Sequence, residues 1–245
     1  MNLQKQLRCV YLHAFFSTLR FTDAVWVALL AARGFSLAEI GLAEGAFHLT
    51  SLLCEVPRGM AADLLGRRLI AADAVISLPS YLTSMFVQQR LTEQGGAMEW
   101  LFLPGLLAGA AGMAGAALGR RLHPKTLRGL YLACALTIGA GALLAGAAPA
   151  WACAVGPMLV QGALAVWFLH SMQRMNESIS SDRRATLISV DSMTYSLLMI
   201  PASPMLVWLG DAAGSAGVGL CLLGAMVAAS GLAVAAKTRY NRRGA

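Results

Sequence analysis

The sequence predicts an all-α polytopic membrane bundle of about eight transmembrane helices. Three observations carry that prediction. The chain is 58% hydrophobic and only 13% charged, whereas soluble domains run at about 45–50% apolar and about 25% charged. Apolar runs of about 20 residues, enough to cross about 30 Å of hydrocarbon, recur along its length. Basic residues fall in alternate connections between those runs, the pattern that sets membrane orientation. The 25 glycines fit helices that pack closely in lipid.

The spans follow in order. Span one is Val10–Ala32 and span two Ile40–Leu64. Span three is Leu69–Gln88 and span four Trp100–Leu118. Span five is Leu130–Ala147, span six Ala150–Met172, span seven Thr186–Leu209 and span eight Ala216–Ala236. Pro149, between small residues, marks a tight turn between spans five and six. The first run is too long for the core of a signal peptide and has no clear cleavage site, so it reads as a retained span. No connection is long enough to fold alone; the longest, about residues 173–185, is a polar linker.

Lys5, Arg8, Arg58, Arg67 and Arg68 lie on one side of this topology. So do Arg120, Arg121, Lys125, Arg128, Arg174, Arg183, Arg184, Lys237, Arg239, Arg242 and Arg243. The other side has Arg33 and Arg90, and Arg20 lies inside span one. By the positive-inside rule both termini are cytoplasmic and the span number is even. The net charge of +7 does not indicate nucleic acid, because the charges sit between apolar spans and not on one face. Cys9, Cys54, Cys134, Cys153 and Cys221 form no C-x-x-C pair and read as small buried apolar residues. No P-loop, H-E-x-x-H, G-x-S-x-G or Cys/His metal spacing occurs, so neither an enzyme, a metal site nor a cofactor is expected.

The candidate chemistry gathers in the first two spans. Glu44, His48, Ser51, Glu55 and Gly59 follow the spacing of one helix face. A charge at the centre of a spanning helix costs about 2.5–3.5 kcal/mol, so that face must turn to protein or water. Glu44 near the outer end of span two has an interfacial alternative. Pro57 frees a backbone carbonyl just after Glu55. Arg20 and Asp23 are three apart and can meet on one face. That pair binds a charged substrate or a proton, or only locks two helices; both readings stay open. Asp191 shares a face with Ser192, Tyr195 and Met199, with a helix-dipole role as its alternative. Asp73 reads as an ion-pair partner of Arg67 and Arg68, and Gln161, His170 and Gln173 as hydrogen-bonded packing residues.

The stretch Gly59-Met-Ala-Ala-Asp63-Leu-Leu-Gly66-Arg67-Arg68 resembles the G-x-x-x-D-x-x-G-R-R/K loop of the major facilitator superfamily. The preceding GFSLAEIGLAEGAFHLTSLLCEVPRG and the later RATLISVDSM, Arg184–Met193, are similar to the same family's bacterial drug-efflux-like members. The resemblance implies a cytoplasmic latch at Gly59, Asp63, Gly66, Arg67 and Arg68. Leu64 stands where the family often has a basic residue, and Gly115–Arg121 resembles a degenerate second copy without the Asp. The family has twelve spans in two halves. Here residues 1–90 resemble a shortened first half, with span three a fusion joined between Asp73 and Phe86. Residues 91–245 resemble the second half.

The resemblance implies a secondary transporter in the bacterial inner membrane that exports small, drug-like molecules by proton-coupled alternating access. Asp23, Glu44 and Glu55 are its candidates for proton coupling. Arg20, His48, Asp191 and Tyr195 are its candidates for the substrate path. The partners expected are the lipid bilayer, a small-molecule substrate and protons, with a homo-oligomer as the way to supply the shortened half. The competing class is a non-transporting relic or membrane assembly partner.

Overall fold

The computed structural model describes residues 26–55, 67–95, 100–177 and 184–243. Among the described residues the chain is helical with no strand. The helices are α1 Trp26–Ala32, α2 Leu37–Glu55, α3 Arg67–Glu93, α4 Leu103–Arg121 and α5 Leu127–Ala147. They continue with α6 Ala150–Cys153, α7 Val155–Glu177, α8 Arg184–Ala212 and α9 Ala216–Arg243.

Five stretches are long and apolar enough to cross a membrane: Leu69–Glu93, Leu127–Ala147, Val155–Glu177, Val190–Ala212 and Ala216–Ala236. The chain is a multi-pass helical membrane bundle. These stretches correspond to expected spans three, five, six, seven and eight, the last with the same bounds. Expected span four is the 19-residue helix α4, which is not among the five. Gly105, Gly109, Gly112, Gly115 and Gly119, with Arg120 and Arg121 at its end, dilute its apolar content. Spans one and two lie only partly in the described residues, as α1 and α2. Arg20, Asp23, Gly59, Asp63 and Gly66 lie outside the described residues, as do the side chains of Glu55, Arg67 and Arg68.

Helix α3 is the axis. Within its span 61% is buried, against 33–50% for the other four, and it touches α5, α7, α8 and α9. Towards its C-terminal end Leu82, Met85 and Phe86 meet Met199, Leu206 and Val207 of α8 and Leu220 and Leu223 of α9. Towards its N-terminal end Ile76 meets Tyr131 and Ile138 of α5, Val160 and Trp167 of α7, and Val227 of α9. Helix α2 lies along α8, and α4 along α7.

The helices α5 and α9 approach through glycine. A Cβ on Gly139 would lie 2.8 Å from the Gly224 carbonyl oxygen, and a Cβ on Gly224 would lie 2.6 Å from the Gly139 oxygen. Gly146 and Gly217 oppose each other in the same reciprocal way, seven residues later on α5 and seven residues earlier on the antiparallel α9. Backbones this close gain dispersion contacts that a lipid-facing side chain cannot give, which drives helix association in an apolar solvent.

The connections are tight and chemically defined. Ser36 and Glu39 form a capping box at the start of α2. The Ser36 amide donates to Glu39 Oε2 at 2.8 Å and the Glu39 amide donates to Ser36 Oγ at 3.2 Å. The Ser36 backbone amide, and then its hydroxyl, hold the Glu39 carboxyl below its usual range. This contribution is present above the ordinary carboxylate range and is lost as pH falls through the lowered value.

At the α8–α9 turn Gly214 has φ 71°. The Ser215 amide reaches the Gly210 carbonyl and the Gly214 amide reaches that of Asp211, the paired bonds of a Schellman ending. The carboxylate of Glu93 then caps α9, accepting from the Ala216 amide at 3.1 Å and from the Ser215 hydroxyl at 3.3 Å. Arg90 donates to Ser215 Oγ at 3.0 Å. A carboxylate at a helix N-terminus is favoured by the orphan amides and by the dipole. Glu93→Ala is expected to lower stability by about 1–2 kcal/mol through loss of this cap, read as a lower midpoint in thermal unfolding. An unchanged midpoint would mean that water caps α9 as well.

Successive long helices run in opposite directions, so the basic residues collect at one end of the bundle. That end holds the start of α3, the α4–α5 connection, the facing ends of α7 and α8, and the end of α9. The other end has Arg33 and Arg90, with Glu93 beside the latter.

Candidate functional site

Two polar constellations interrupt the apolar packing, both on the seam where α8 meets its neighbours. The first joins α2, α3 and α8. Glu44 and His48 are one turn apart on α2, and α2 packs antiparallel on α8, with Gly41 against Val207 and Gly45 near the Ile200 carbonyl. That register places His48 opposite Ser196. His48 Nε2 lies 3.3 Å from Glu44 Oε1, and His48 Nδ1 lies 3.3 Å from Ser196 Oγ. From α3, the Tyr81 hydroxyl donates to Glu44 Oε2 at 2.8 Å. The Tyr195 ring meets the imidazole edge-on with centroids 5.5 Å apart. His48 is buried, 7% exposed, and the Glu44 side chain is nearly as enclosed.

The chemistry of this set follows from its donors and acceptors. A carboxylate can only accept, so His48 Nε2 carries the hydrogen that faces Glu44. His48 Nδ1 then accepts from the Ser196 hydroxyl in the neutral ring and donates to it in the protonated ring. Rotation of the Ser196 hydroxyl accommodates either state without moving a helix. A proton on Glu44 acts differently. It converts an acceptor that serves two donors, Tyr81 and His48, into a group with a donor of its own. The Tyr81 bond, which links α3 to α2, then loses its charge assistance.

The second constellation joins α3, α7 and α8. The Trp167 indole Nε1 donates to Asp73 Oδ1 at 2.6 Å, and both side chains are buried. The Ser171 hydroxyl, one turn along α7, lies near the same carboxylate and donates to the Phe168 carbonyl at 3.3 Å. The Asp191 carboxyl of α8 lies beside the Asp73 carboxyl. Among the described residues Asp191 Oδ1 is buried without a partner. Behind Trp167 the Tyr131 ring stands edge-on at 5.1 Å, and its hydroxyl lies 2.9 Å from Ser230 Oγ of α9.

The structure thus brings together three of the residues singled out from the sequence, Glu44, His48 and Tyr195. Asp191 is one turn from Tyr195 on α8 but belongs to the second set. Helix α8 begins at Arg184, so Asp191 lies two turns inside it, beyond the reach of the N-terminal dipole that was its alternative role. Among the described residues Trp167 donates to Asp73, and Ser171 and Asp191 lie beside it. The packing residues behave as expected: Gln161 donates to Ser80 Oγ at 3.2 Å, His170 Nε2 lies 3.1 Å from the Gly119 carbonyl, and Gln173 donates to Glu177.

Tyr81, Ser196, Trp167 and Ser171 were not singled out. A signal for Tyr81 existed, since Asp73, Ser77, Ser80 and Tyr81 fall at i, i+4, i+7 and i+8, one face of a helix. Trp167 and Ser171 share the same kind of i, i+4 relation. Comparison with protein-family models, curated proteins and solved structures finds no match to the chain.

Proposed function

We propose that the chain is a secondary active transporter of the major facilitator type, exporting small, drug-like molecules by proton-coupled alternating access. The observation that carries this reading is the buried Glu44–His48 pair, held across α2, α3 and α8 by Tyr81 and Ser196. An ionisable pair inside a membrane bundle is costly and marks an ion or substrate path by default. Its proton occupancy alters the bonds between helices, which is what a coupled cycle requires. Glu44 is the proton acceptor in this reading, and His48, Tyr195 and Asp191 line the path. Asp23, Glu55 and Arg20 extend the same candidate set. Gly59, Asp63, Gly66, Arg67 and Arg68 form the cytoplasmic latch. The basic end of the bundle faces the cytoplasm of a bacterial inner membrane.

The test is flux in proteoliposomes under an imposed pH gradient, with lipophilic cations and common antibiotics as the panel. Glu44→Gln keeps the shape and removes the titration. It is expected to cut gradient-driven flux roughly 5–150-fold, the usual range of a coupling free energy. Glu39→Gln, at the exposed start of the same helix, is expected to leave flux unchanged. Equal flux in wild type and Glu44→Gln removes Glu44 from the coupling role. No flux from wild-type protein shown to be folded and inserted supports the non-transporting assembly partner instead.

A further inference from the structure

At the basic end of the bundle the α4–α5 connection folds back over the last turns of α7 and encloses a cleft of about 760 Å³. Its rim carries Arg120, Lys125 and Arg174, with His123 beside them, and its apolar wall includes Leu122 and Leu169. One carboxylate, Glu177, lines it, and that group is engaged by Arg174 at 3.7 Å. Arg120 and Lys125 make no ion pair among the described residues. The cleft therefore has an unbalanced positive rim.

The backbone adds to the field. Helix α5, 21 residues long, starts at this cleft with Thr126 as its N-cap. Thr126 Oγ1 accepts from the Gly129 amide, and the other first-turn amides, which no helix supplies with a partner of its own, present partial positive charge. His170 does not compete for an anion, because its Nε2 already meets the Gly119 carbonyl at 3.1 Å.

What separates this cleft from an ordinary solvated basic end is the apolar surface next to it. Leu118 and Leu122 of the α4 end, and Phe168 of α7, are large apolar side chains that face outwards, 53%, 39% and 53% exposed. Leu118 and Leu122 lie within about one helical turn of Arg120, and Phe168 lies between one and two turns before Arg174. Positive charge above and apolar surface directly below is the layout of the headgroup–acyl boundary of a bilayer, where basic pockets between spanning helices take anionic headgroups. Free phosphate would use the charge and leave the apolar strip without a role.

We infer that this cleft binds the phosphodiester headgroup of an anionic membrane lipid, with its acyl chains along Leu118, Leu122 and Phe168. The assignment does not depend on whether the chain transports anything.

The test is native mass spectrometry of the full chain in detergent, titrated with cardiolipin, phosphatidylglycerol or phosphatidylcholine. Inorganic phosphate at matched concentration serves as competitor. The expected result is retention of the anionic lipids over phosphatidylcholine with no competition by inorganic phosphate. Each near-surface Lys or Arg contributes roughly a fivefold factor in affinity, so Arg120→Gln/Lys125→Gln should weaken anionic-lipid binding roughly 25-fold. The matched control is Arg121→Gln/Arg128→Gln, two exposed cations at the same end that do not line the cleft. It should leave most of the affinity. Equal losses in the two double variants would overturn the site in favour of diffuse surface charge. Competition by inorganic phosphate, or equal retention of phosphatidylcholine, would overturn the anionic-lipid assignment.

Discussion

Gly146→Leu is expected to prevent the bundle from assembling. A Cβ at residue 146 would overlap the Gly217 carbonyl oxygen and approach Cys221 Sγ at 2.8 Å and Leu220 Cβ at 3.0 Å. The first obstacle is backbone, so no rotamer change relieves it; α5 and α9 must separate. Overpacking a well-filled core costs about 1–3 kcal/mol even when side chains can shift. Separation here also breaks the neighbouring Gly139–Gly224 contact and the Tyr131–Ser230 bond on the same pair of helices. Adding Gly139→Leu, whose Cβ would meet Ala228 Cβ at 2.9 Å, takes the expected loss beyond about 5 kcal/mol, the whole stability of many domains. The check is size-exclusion profile and thermal unfolding of purified protein. Gly109→Leu is the control, because a Cβ there meets nothing within 4 Å. It removes a helix-interior glycine, so it is expected to leave stability unchanged or raise it by up to about 1 kcal/mol. A Gly146→Leu protein that elutes and melts like wild type would show that α5 and α9 do not touch at this point.

These glycines also show what the sequence could and could not disclose. Their abundance announced close helix packing, but not which helix each one faces. A spanning helix such as α5 is apolar on every side, so no polar stripe marks its outward face. Gly139 and Gly146 turn to α9, whereas Gly141 lies against Gly156 of α7. Three glycines within eight residues thus serve two different neighbours. The seven-residue interval between Gly139 and Gly146, repeated between Gly217 and Gly224, is the periodicity of two helices in sustained contact. It becomes a signal only once the two helices are known to be partners. The five spanning stretches themselves were legible, because length and apolar composition depend on the chain alone.

The site was legible where its residues sit on one helix and hidden where they do not. Glu44 and His48 are i, i+4 on α2, and their cost in hydrocarbon forces them towards protein. The identity of what receives them depends on the antiparallel register of α2 on α8, which brings Ser196 to His48. It depends also on α3, which brings Tyr81 to Glu44. Neither is encoded locally. Asp73 is the clearer case. Its nearness in sequence to Arg67 and Arg68 suggested an ion pair. The side chains of Arg67 and Arg68 lie outside the described residues; what the sequence does not disclose is that Trp167 and Asp191 come to Asp73 from α7 and α8.

That placement leads to the second large effect. Asp73→Val is expected to destabilise the bundle by about 2–5 kcal/mol, and Asp73→Asn by less than about 1 kcal/mol. The asparagine carbonyl still accepts from Trp167 Nε1, and its amide can donate to Asp191. Valine offers neither function, so it leaves the indole N–H and the Asp191 carboxyl buried without partners, at about 1–3 kcal/mol for each group. Hydrogen bonds between membrane helices average only about 0.6 kcal/mol, because separated helices find other partners. Here the partners cannot do so while the fold persists: Trp167 is fully enclosed and Asp191 already has one unmatched oxygen. The higher range therefore applies. The contact between the two carboxyls adds a further expectation. Asp73→Val/Asp191→Val removes both members of the pair and leaves the indole unpaired, so the double variant should lose less than the sum of its singles and melt no lower than Asp73→Val alone. Strict additivity of the two single losses in the thermal midpoint would mean that Asp73 and Asp191 do not interact. Equal losses for Asp73→Val and Asp73→Asn would mean that residue 73 acts through its volume and not through the bond to Trp167.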